Sequence, residues 1–530
     1  MRKILSDRFA ISILAFGLLF RVIVALWLYP GYDEAYYYTY THHLDWSFFD
    51  HPIMVALSTG LGTWLTGQVN QFTIRWGTLI FHTASLILLY LTALRLFSLP
   101  IARMSLVLAT LIPVYSIVFG ILTLPDSPLI FFWSLTVYLA SVEFFPAGER
   151  PYRPTYRVAL LGIAVGLTVL SKYHGFLLGI GLVLFCLTTP RYWRVFRSPW
   201  LLLAIIGFIV TLFPILYWNN QHDWISFRFH LGSRFSRERS TFSLFRVFLV
   251  FAISVATMCP TFGIPMWWVT LQTFGRQIPA FFSRKTFFHR DDRSLKQWLI
   301  LCVSLPLILG FTYIGAYHHL APSWILPGFW SCTILLGDRA VEWQKYSKKG
   351  VKRWIVGSGI AIVTLLALTL LHLNLGTFQK PSQYSLFGGL VPPEQDPSRE
   401  VVDIAQLRQG FADSPELLSL LKNTGFVFTH SYYLAGWLDM ALYPLVPVPI
   451  APFTGDTRGF QIWTDPRDWI GKDGLLITTN VFAERPAEID RYRPYFRKIE
   501  KVGAIPIKRG GVAIEQFHIY RATDLLRPFP

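Results

Sequence analysis

The chain has 530 residues, of which 53% are hydrophobic and 16% aromatic, while only 15% are charged. Soluble domains carry about 25% charged residues, and a soluble core could not take up this much apolar surface. A formal net charge of +17 would indicate nucleic-acid binding in a soluble protein, but in a membrane protein it first reports topology. We therefore expect a polytopic membrane protein that does not bind nucleic acid.

Apolar runs long enough to cross a bilayer recur along the first 374 residues. The first run is too long for a secretory signal and no small-residue cleavage site follows it, so we expect an uncleaved span. About eleven transmembrane helices are predicted. Their approximate bounds are 9–29, 73–96, 103–121, 127–145, 157–171, 174–189, 199–217, 245–270, 297–316, 320–337 and 354–373.

The distribution of lysine and arginine orients these spans. Basic clusters near residues 2–3, 95–103, 150–157, 191–197, 284–296 and 345–353 fall on one side if the count is right, and that side is predicted to be the cytoplasm. The stretches YDEAYY, TLPDSPL, SKYHG, YWNNQHDW and YHHLAPSW then share the outer face.

The composition changes after residue 374. A Pro-, Gly- and Ser-rich segment leads into short apolar runs, GFVFT, GLLITT and VAIEQFHIYRA, interleaved with helical patterns such as SPELLSLLKN. We predict two domains: a transmembrane catalytic domain with outer-face loops over 1–374, and a soluble α/β domain on the outer face over 375–530.

The first outer stretch, YDEAYYYTYTHHLDWSFFDHP, combines acidic, imidazole and aromatic groups directly after a span. Tyr36, Tyr37 and Tyr40 recur at helical spacing, which predicts an amphipathic helix at the membrane interface with its tyrosines towards the membrane. Asp33 and Glu34 begin that helix. A solvated surface explains Glu34 or Asp45 taken singly.

The turn DWSFFDHP brings Asp50 and His51 back beside the membrane, and the other outer turns add further ionisable groups. Charges clustered at a membrane edge indicate function by default. The further outer-turn groups are Asp126, Lys172, His174, His222, Asp223, His318 and His319.

The outer loop 218–243 departs from the charge rule because it carries Arg228, Arg234, Arg237 and Arg239. One reading is that loops of this length translocate regardless of charge. The other is an anion site, because the planar fork of arginine suits phosphate oxygens.

Carboxylates and cations at an outer membrane edge suit the transfer of a sugar from a lipid phosphate. A carboxylate can accept the proton of the acceptor, and cations can stabilise the departing phosphate. Four motifs carry a resemblance in the same order: YDEAYYYTYTHHLDWSFFDHPIMVAL, LTLPDSPLIFFW, YWNNQHDWISFRFHLG and YHHLAPSWILPGFW. They resemble the bacterial polytopic C-type glycosyltransferases related to protein O-mannosyltransferases and aminoarabinose (lipid A) transferase.

The resemblance implies an inverting hexosyl- or pentosyltransferase that uses a polyprenyl-phosphate sugar donor and a glycolipid or protein acceptor. It implies that Asp33 is the catalytic carboxylate, that Asp126 is the acid of the second loop, and that Asp50 and His51 match the re-entering segment. That pair reads Glu-Lys in aminoarabinose transferase, so Lys172, Arg228 or Arg234 would supply a permanent charge for the donor phosphate. Further candidates for substrate binding are Glu34, Tyr36, His174, His318 and His319.

A divalent metal ion held by Asp33, Asp50 and Asp126 is a further expectation, although no compact ligand spacing accompanies these residues. The expected location is the bacterial inner membrane, with many passes, lipid contacts and an active site on the periplasmic face. The alternative is a transporter or flippase of a lipid-linked sugar, which should carry its charges near the midplane. A third reading is a non-catalytic receptor whose tail binds the ligand.

Overall fold

The computed structural model describes residues 6–146, 151–233, 241–282, 290–453, 455–483 and 485–529. Arg234, one of the predicted phosphate ligands, lies outside these ranges. The chain divides into two compact units, each assembled from separate segments. The helical unit comprises Met1–Val22, His51–Val55 and Thr78–Val363, and the sheet unit comprises Ile23–Asp50, Ala56–Gly77 and Thr364–Pro530.

Most of the described chain is helical. Proline starts or interrupts several helices, because its ring fixes φ and removes an N–H donor. The helices are α1 Arg8–Trp27, α2 Tyr32–Thr39, α3 Met54–Thr66, α4 Trp76–Leu96, α5 Leu99–Leu111, α6 Pro113–Ser116, α7 Asp126–Phe144, α8 Arg157–Ser171, α9 Phe176–Leu187, α10 Pro199–Gln221, α11 Ile225–Arg228, α12 Leu244–Thr257, α13 Pro260–Phe282, α14 Asp292–Tyr317, α15 Pro327–Tyr346, α16 Lys348–Leu375, α17 Ala405–Asp413, α18 Pro415–Asn423, α19 Tyr432–Leu442, α20 Phe460–Trp463, α21 Asn480–Ala483 and α22 Pro486–Asp490.

Within the described ranges, six helices are long and apolar enough to cross a membrane, or seven if one pair bent by 114° is a single span. The predicted span 103–121 is divided at Pro113, and the predicted span 245–270 is divided between α12 and α13. Helix α8 has 15 residues, which at 1.5 Å per residue is shorter than a hydrocarbon core of about 30 Å. The polytopic helical class is confirmed, whereas the count of eleven stays a prediction.

The helical unit is held together by a large apolar core and by a few hydrogen bonds inside it. Trp133 of α7 donates its indole N–H to Ser331 of α15 at 3.1 Å, and Trp330 of α15 donates to Ser134 of α7 at 2.7 Å. All four side chains are buried. An indole N–H in an apolar bundle needs an acceptor, so this reciprocal pair fixes the register of the two helices.

The sheet unit contains five strands in the order β2-β1-β3-β5-β4. Strands β1, β2 and β3 are parallel, and β5 runs antiparallel to β3 and β4. Gly510 and Gly511, both at positive φ, turn β4 into β5, as a two-residue hairpin requires. The strands are β1 Phe426–Thr429, β2 Ile450–Pro452, β3 Gly474–Thr479, β4 Phe496–Arg509 and β5 Val512–Leu525. The predicted runs GFVFT, GLLITT and VAIEQFHIYRA coincide with β1, β3 and β5.

The first outer stretch as far as Asp50 belongs to the sheet unit, whereas His51 and Pro52 belong to the helical unit. Helix α2 packs on α19, and Gly436 of α19 permits the close approach because a Cβ there would lie 2.7 Å from the backbone nitrogen of Tyr36. The predicted helix is therefore present, but the expectation that its tyrosines face the membrane is wrong. Tyr36, Tyr37 and Tyr40 are buried inside the protein, with at most 4% exposure.

We expect Gly436→Ala to lower the free energy of unfolding by about 1–3 kcal/mol, because the added methyl group overpacks the α2–α19 contact. Gly357→Ala is the matched control, since a Cβ at Gly357 meets nothing within 4 Å and alanine favours helix. Thermal or denaturant unfolding in detergent measures both. Equal stability of the two variants would contradict the role given to Gly436.

Candidate active site

Helix α2 is anchored at its start by a buried ion pair. Glu34 accepts hydrogen bonds from Arg75 at 2.8 Å and 2.6 Å, and it also caps the helix by accepting from the backbone N–H of Gly31 at 3.1 Å. The side chains of Glu34 and Arg75 are 2% and 0% exposed. Arg75 further donates to the carbonyls of Ala25 and Leu28 at 3.0 Å and 2.6 Å, and so ties the end of α1 to the start of α2.

Asp33 lies one residue before Glu34 and is exposed in the first turn of α2. A carboxylate is stabilised there by the helix dipole. Burial, and after it the negative charge of Asp33, raise the pKa of Tyr37 well above its usual value. Glu34 is buried in an ion pair, so the solvated surface expected for it is wrong, whereas Asp33 is at the surface.

Asp50 closes the same stretch and is 1% exposed. Its carboxylate accepts hydrogen bonds from the hydroxyls of Tyr36, at 3.2 Å, and Tyr40, and from the guanidinium of Arg458 at 3.0 Å. The hydroxyl of Tyr36 in turn accepts from the backbone N–H of Gly459 at 3.0 Å. This network joins two segments that are 408 residues apart in the chain.

The chemistry of Arg458 suits this enclosed position. Its side chain is 17% exposed, and its guanidinium lies 3.8 Å from the centre of the Tyr432 ring. Burial opposes its charge, but the Asp50 carboxylate outweighs burial and raises the pKa of Arg458 above its usual range. Burial and the Asp50 charge also raise the pKa of Tyr36. Arg458 also pairs with the exposed carboxylate of Asp456 at 3.1 Å, so the cluster holds the cation of Arg458 between a buried and an exposed carboxylate, beside neutral hydroxyls.

A third ion pair of the candidate site lies in the helical unit. Asp126 is the first residue of α7, and both of its oxygens accept hydrogen bonds from the ammonium of Lys172, at 2.9 Å and 2.8 Å. Both side chains are nearly buried, with exposures of 4% and 9%. The structure thus brings together two predicted site residues, and Lys172 is not an isolated cation.

Aromatic and imidazole rings follow Lys172 in the helical unit. The His230 ring lies 5.0 Å from that of Tyr173 and 6.3 Å from that of His51. His174 packs edge-on against Phe311, with ring centres 5.2 Å apart. His51 and His174 are thus half-buried in an aromatic environment.

The remaining predicted ligands of the helical unit lie at helix ends. Arg228 is exposed as the last residue of α11. His318 is half-buried at the end of α14, and His319 follows it and is exposed. Among the residues that the structure describes, no group of three His, Cys, Asp or Glu side chains could hold a metal ion. The metal therefore stays a prediction.

The sequence analysis does not single out three basic residues of these networks: Arg75, Arg458 and His230. A signal existed for Arg75, because an arginine at the start of an apolar run needs a buried partner. No local pattern identifies Arg458, whose partner Asp50 is far away in the chain. His230 sits within a stretch that the resemblance includes, but nothing in its spacing distinguishes it.

Comparison with known proteins agrees with the resemblance. The family model described as dolichyl-phosphate-mannose-protein mannosyltransferase matches residues 50–218. The lipid A galacturonosyltransferase RgtD of Rhizobium johnstonii is 24% identical over 332 residues, which cover 62% of this chain and 64% of that protein. The chain thus spans less than two thirds of the length of this curated relative.

This chain is similar in sequence to glycosyltransferases. The crystal structure of ArnT from Cupriavidus metallidurans in the apo state matches with a TM-score of 0.63 and 14% sequence identity, over 96% of this chain and 97% of that one. At 14% identity this likeness establishes a shared fold but not a shared reaction. The resemblance to the protein mannosyltransferases and the lipid A transferases is confirmed.

We expect Glu34→Gln to lower the free energy of unfolding by about 3–5 kcal/mol, because it leaves the buried charge of Arg75 without its counter-ion. The control is Glu488→Gln, which breaks a pair with Arg491 whose side chains are 33% and 58% exposed and should cost less than about 1 kcal/mol. Denaturant unfolding distinguishes the two variants. Equal losses would contradict the anchoring role.

Proposed function

We propose that this chain is a glycosyltransferase that transfers a sugar from a polyprenyl-phosphate-linked donor to an acceptor, with inversion at the anomeric carbon. The acceptor is a glycolipid such as lipid A, or a protein. The reaction takes place on the periplasmic face of the bacterial inner membrane, among the predicted outer-face loops. The relationship to the glycosyltransferases supports the reaction class, and the name of the galacturonosyltransferase relative supports a lipid A acceptor.

The observation that carries the proposal is the contrast between Asp33 and its neighbours. A general base must reach the proton that it removes, and Asp33 is exposed at the start of α2. Glu34 and Asp50 are buried in ion pairs with Arg75 and Arg458. We therefore assign Asp33 to the reaction and assign Glu34 and Asp50 to positioning the segment that carries it.

In the proposed step, Asp33 accepts the proton of an acceptor hydroxyl while the hydroxyl oxygen attacks the anomeric carbon of the donor. The bond between that carbon and the phosphate oxygen breaks, and the polyprenyl phosphate departs with the electron pair. A preorganised site lowers the barrier by favouring the charge that develops on the leaving group. The products are a glycosylated acceptor and a free polyprenyl phosphate.

Cations of the helical unit are the candidates for the donor phosphate. An ammonium has three N–H donors, and Asp126 takes two from Lys172, which leaves one for a phosphate oxygen. Arg228 is exposed and is a further candidate. His51 and Arg234 stay candidates because the sequence analysis predicts them as phosphate ligands. In the proposal Asp126 holds Lys172 in place, and His174, His318 and His319 act in sugar or acceptor binding. Tyr36, predicted as a substrate ligand, is buried against Asp50 and is assigned to positioning.

The test is transfer of labelled sugar from a synthetic polyprenyl-phosphate donor by the purified protein, with lipid A as acceptor. We expect Asp33→Asn to reduce turnover about 10²–10⁴-fold, the usual contribution of a general base. Asp45→Asn is the matched control, because Asp45 belongs to the same stretch and its carboxylate accepts a hydrogen bond from Trp46 that the amide oxygen preserves. Asp45→Asn should retain activity.

Full activity of a folded Asp33→Asn variant would contradict the role of Asp33. No release of polyprenyl phosphate from any donor, together with passage of labelled donor across reconstituted vesicles, would contradict the enzyme and support the flippase alternative.

A further inference from the structure

A charged cavity lies at one end of the helical unit, among residues that the proposed reaction does not use. Its volume is about 520 Å³. It is lined by residues in the middle and second half of α13, at the start of α14 and in the middle and second half of α15, together with Ser98 and Ile101 at the start of α5. These helix ends adjoin the lysine- and arginine-rich segments that the positive-inside rule assigns to the cytoplasm.

Two of the four cations that line the cavity are paired. Arg293 donates to Asp338 at 2.5 Å, and Arg339 donates to Glu342 at 2.6 Å and to the side-chain oxygen of Gln272 at 2.7 Å. These contacts fix two guanidinium groups in the wall of the cavity. The Arg339 side chain is only 14% exposed, so it forms a largely buried part of the cavity wall.

The other two cations, Arg276 and Lys345, are exposed at the cavity. Within the described part of the chain, neither has a carboxylate within 4 Å. Four cations against the two carboxylates of Asp338 and Glu342 leave the lining with a net charge of +2. The cavity therefore has a charge that favours an anionic ligand.

The same cavity also has apolar walls, formed by Ile101, Val269, Leu335 and Val341. A ligand with an anionic head and an apolar body matches this combination better than a free inorganic ion. Arginine binds phosphate oxygens in a fork-like, bidentate geometry. Basic pockets between membrane helices on the cytoplasmic side are suited to anionic lipid head groups.

We propose that this cavity binds the phosphodiester head group of an anionic phospholipid from the cytoplasmic leaflet. Arg276 and Lys345 supply the unneutralised charge, Arg293 and Arg339 form a preoriented wall, and the apolar residues contact the glycerol and the first acyl carbons. The site is separate from the proposed sugar transfer and does not depend on it.

The test is thermal unfolding of delipidated protein in a neutral detergent, titrated with phosphatidylglycerol, phosphatidylcholine or inorganic phosphate. We expect phosphatidylglycerol to raise the unfolding midpoint of the wild type, whereas the other two leave it unchanged. In the double variant Arg276→Gln/Lys345→Gln, the half-saturating concentration of phosphatidylglycerol should rise at least about tenfold, since each basic residue contributes to attraction of an anionic lipid.

The matched control is Arg194→Gln/Lys349→Gln, which removes the same charge from exposed residues at the same end of the unit and outside the cavity. It should respond like the wild type. A charge-preserving variant, Arg276→Lys/Lys345→Arg, should keep most of the response, and it guards against loss of folding as the explanation.

Three results would overturn the proposal. Equal weakening in the cavity variant and the control would show that only overall charge matters. An equal rise of the unfolding midpoint with phosphatidylcholine would show that binding does not require an anionic head group. A response to inorganic phosphate without one to phosphatidylglycerol would make the ligand a free anion.

Discussion

The arrangement of the sheet unit depends on the ion pair between Asp50 and Arg458. A buried carboxylate without a counter-ion costs several kcal/mol, so Asp50 can remain inside the protein only if Arg458 accompanies it. Two tyrosine hydroxyls also donate hydrogen bonds to it. This requirement connects the first outer stretch to the C-terminal part of the chain and explains why both belong to one compact unit.

The same requirement separates the roles of the acidic residues. Glu34 and Asp50 form ion pairs with arginines. In the helical unit Asp126 forms an ion pair with Lys172. Each of these pairs orients a segment and cannot remove a proton without losing its partner. Asp33 shares the helix turn of Glu34 but faces outward, so the anchoring of its neighbour holds it in a defined place at the surface.

Local patterns in the sequence predict much of the fold but little of which charged side chains pair with each other. Apolar runs predict the helical class and strands β1, β3 and β5. They do not predict β4, because its sequence FRKIEKVGAIPIKR mixes charged with apolar residues. The residue types of the first outer stretch indicate a site. They do not reveal that Asp50 meets Arg458 from 408 residues away, because such a contact depends on tertiary packing. For the same reason the tyrosine stripe indicates a membrane face, although its helix packs on α19 and the tyrosines are buried inside the protein.

The measurement that tests the account most directly is a double-mutant cycle on the free energy of unfolding with Asp50→Asn, Arg458→Gln and the double variant. If the pair anchors the outer stretch, each single change is costly and the double variant loses less than the two combined, with a coupling of at least about 1 kcal/mol. The exposed pair Asp465 and Arg467 should give less than about 0.5 kcal/mol. Additive losses at Asp50 and Arg458 would contradict the account.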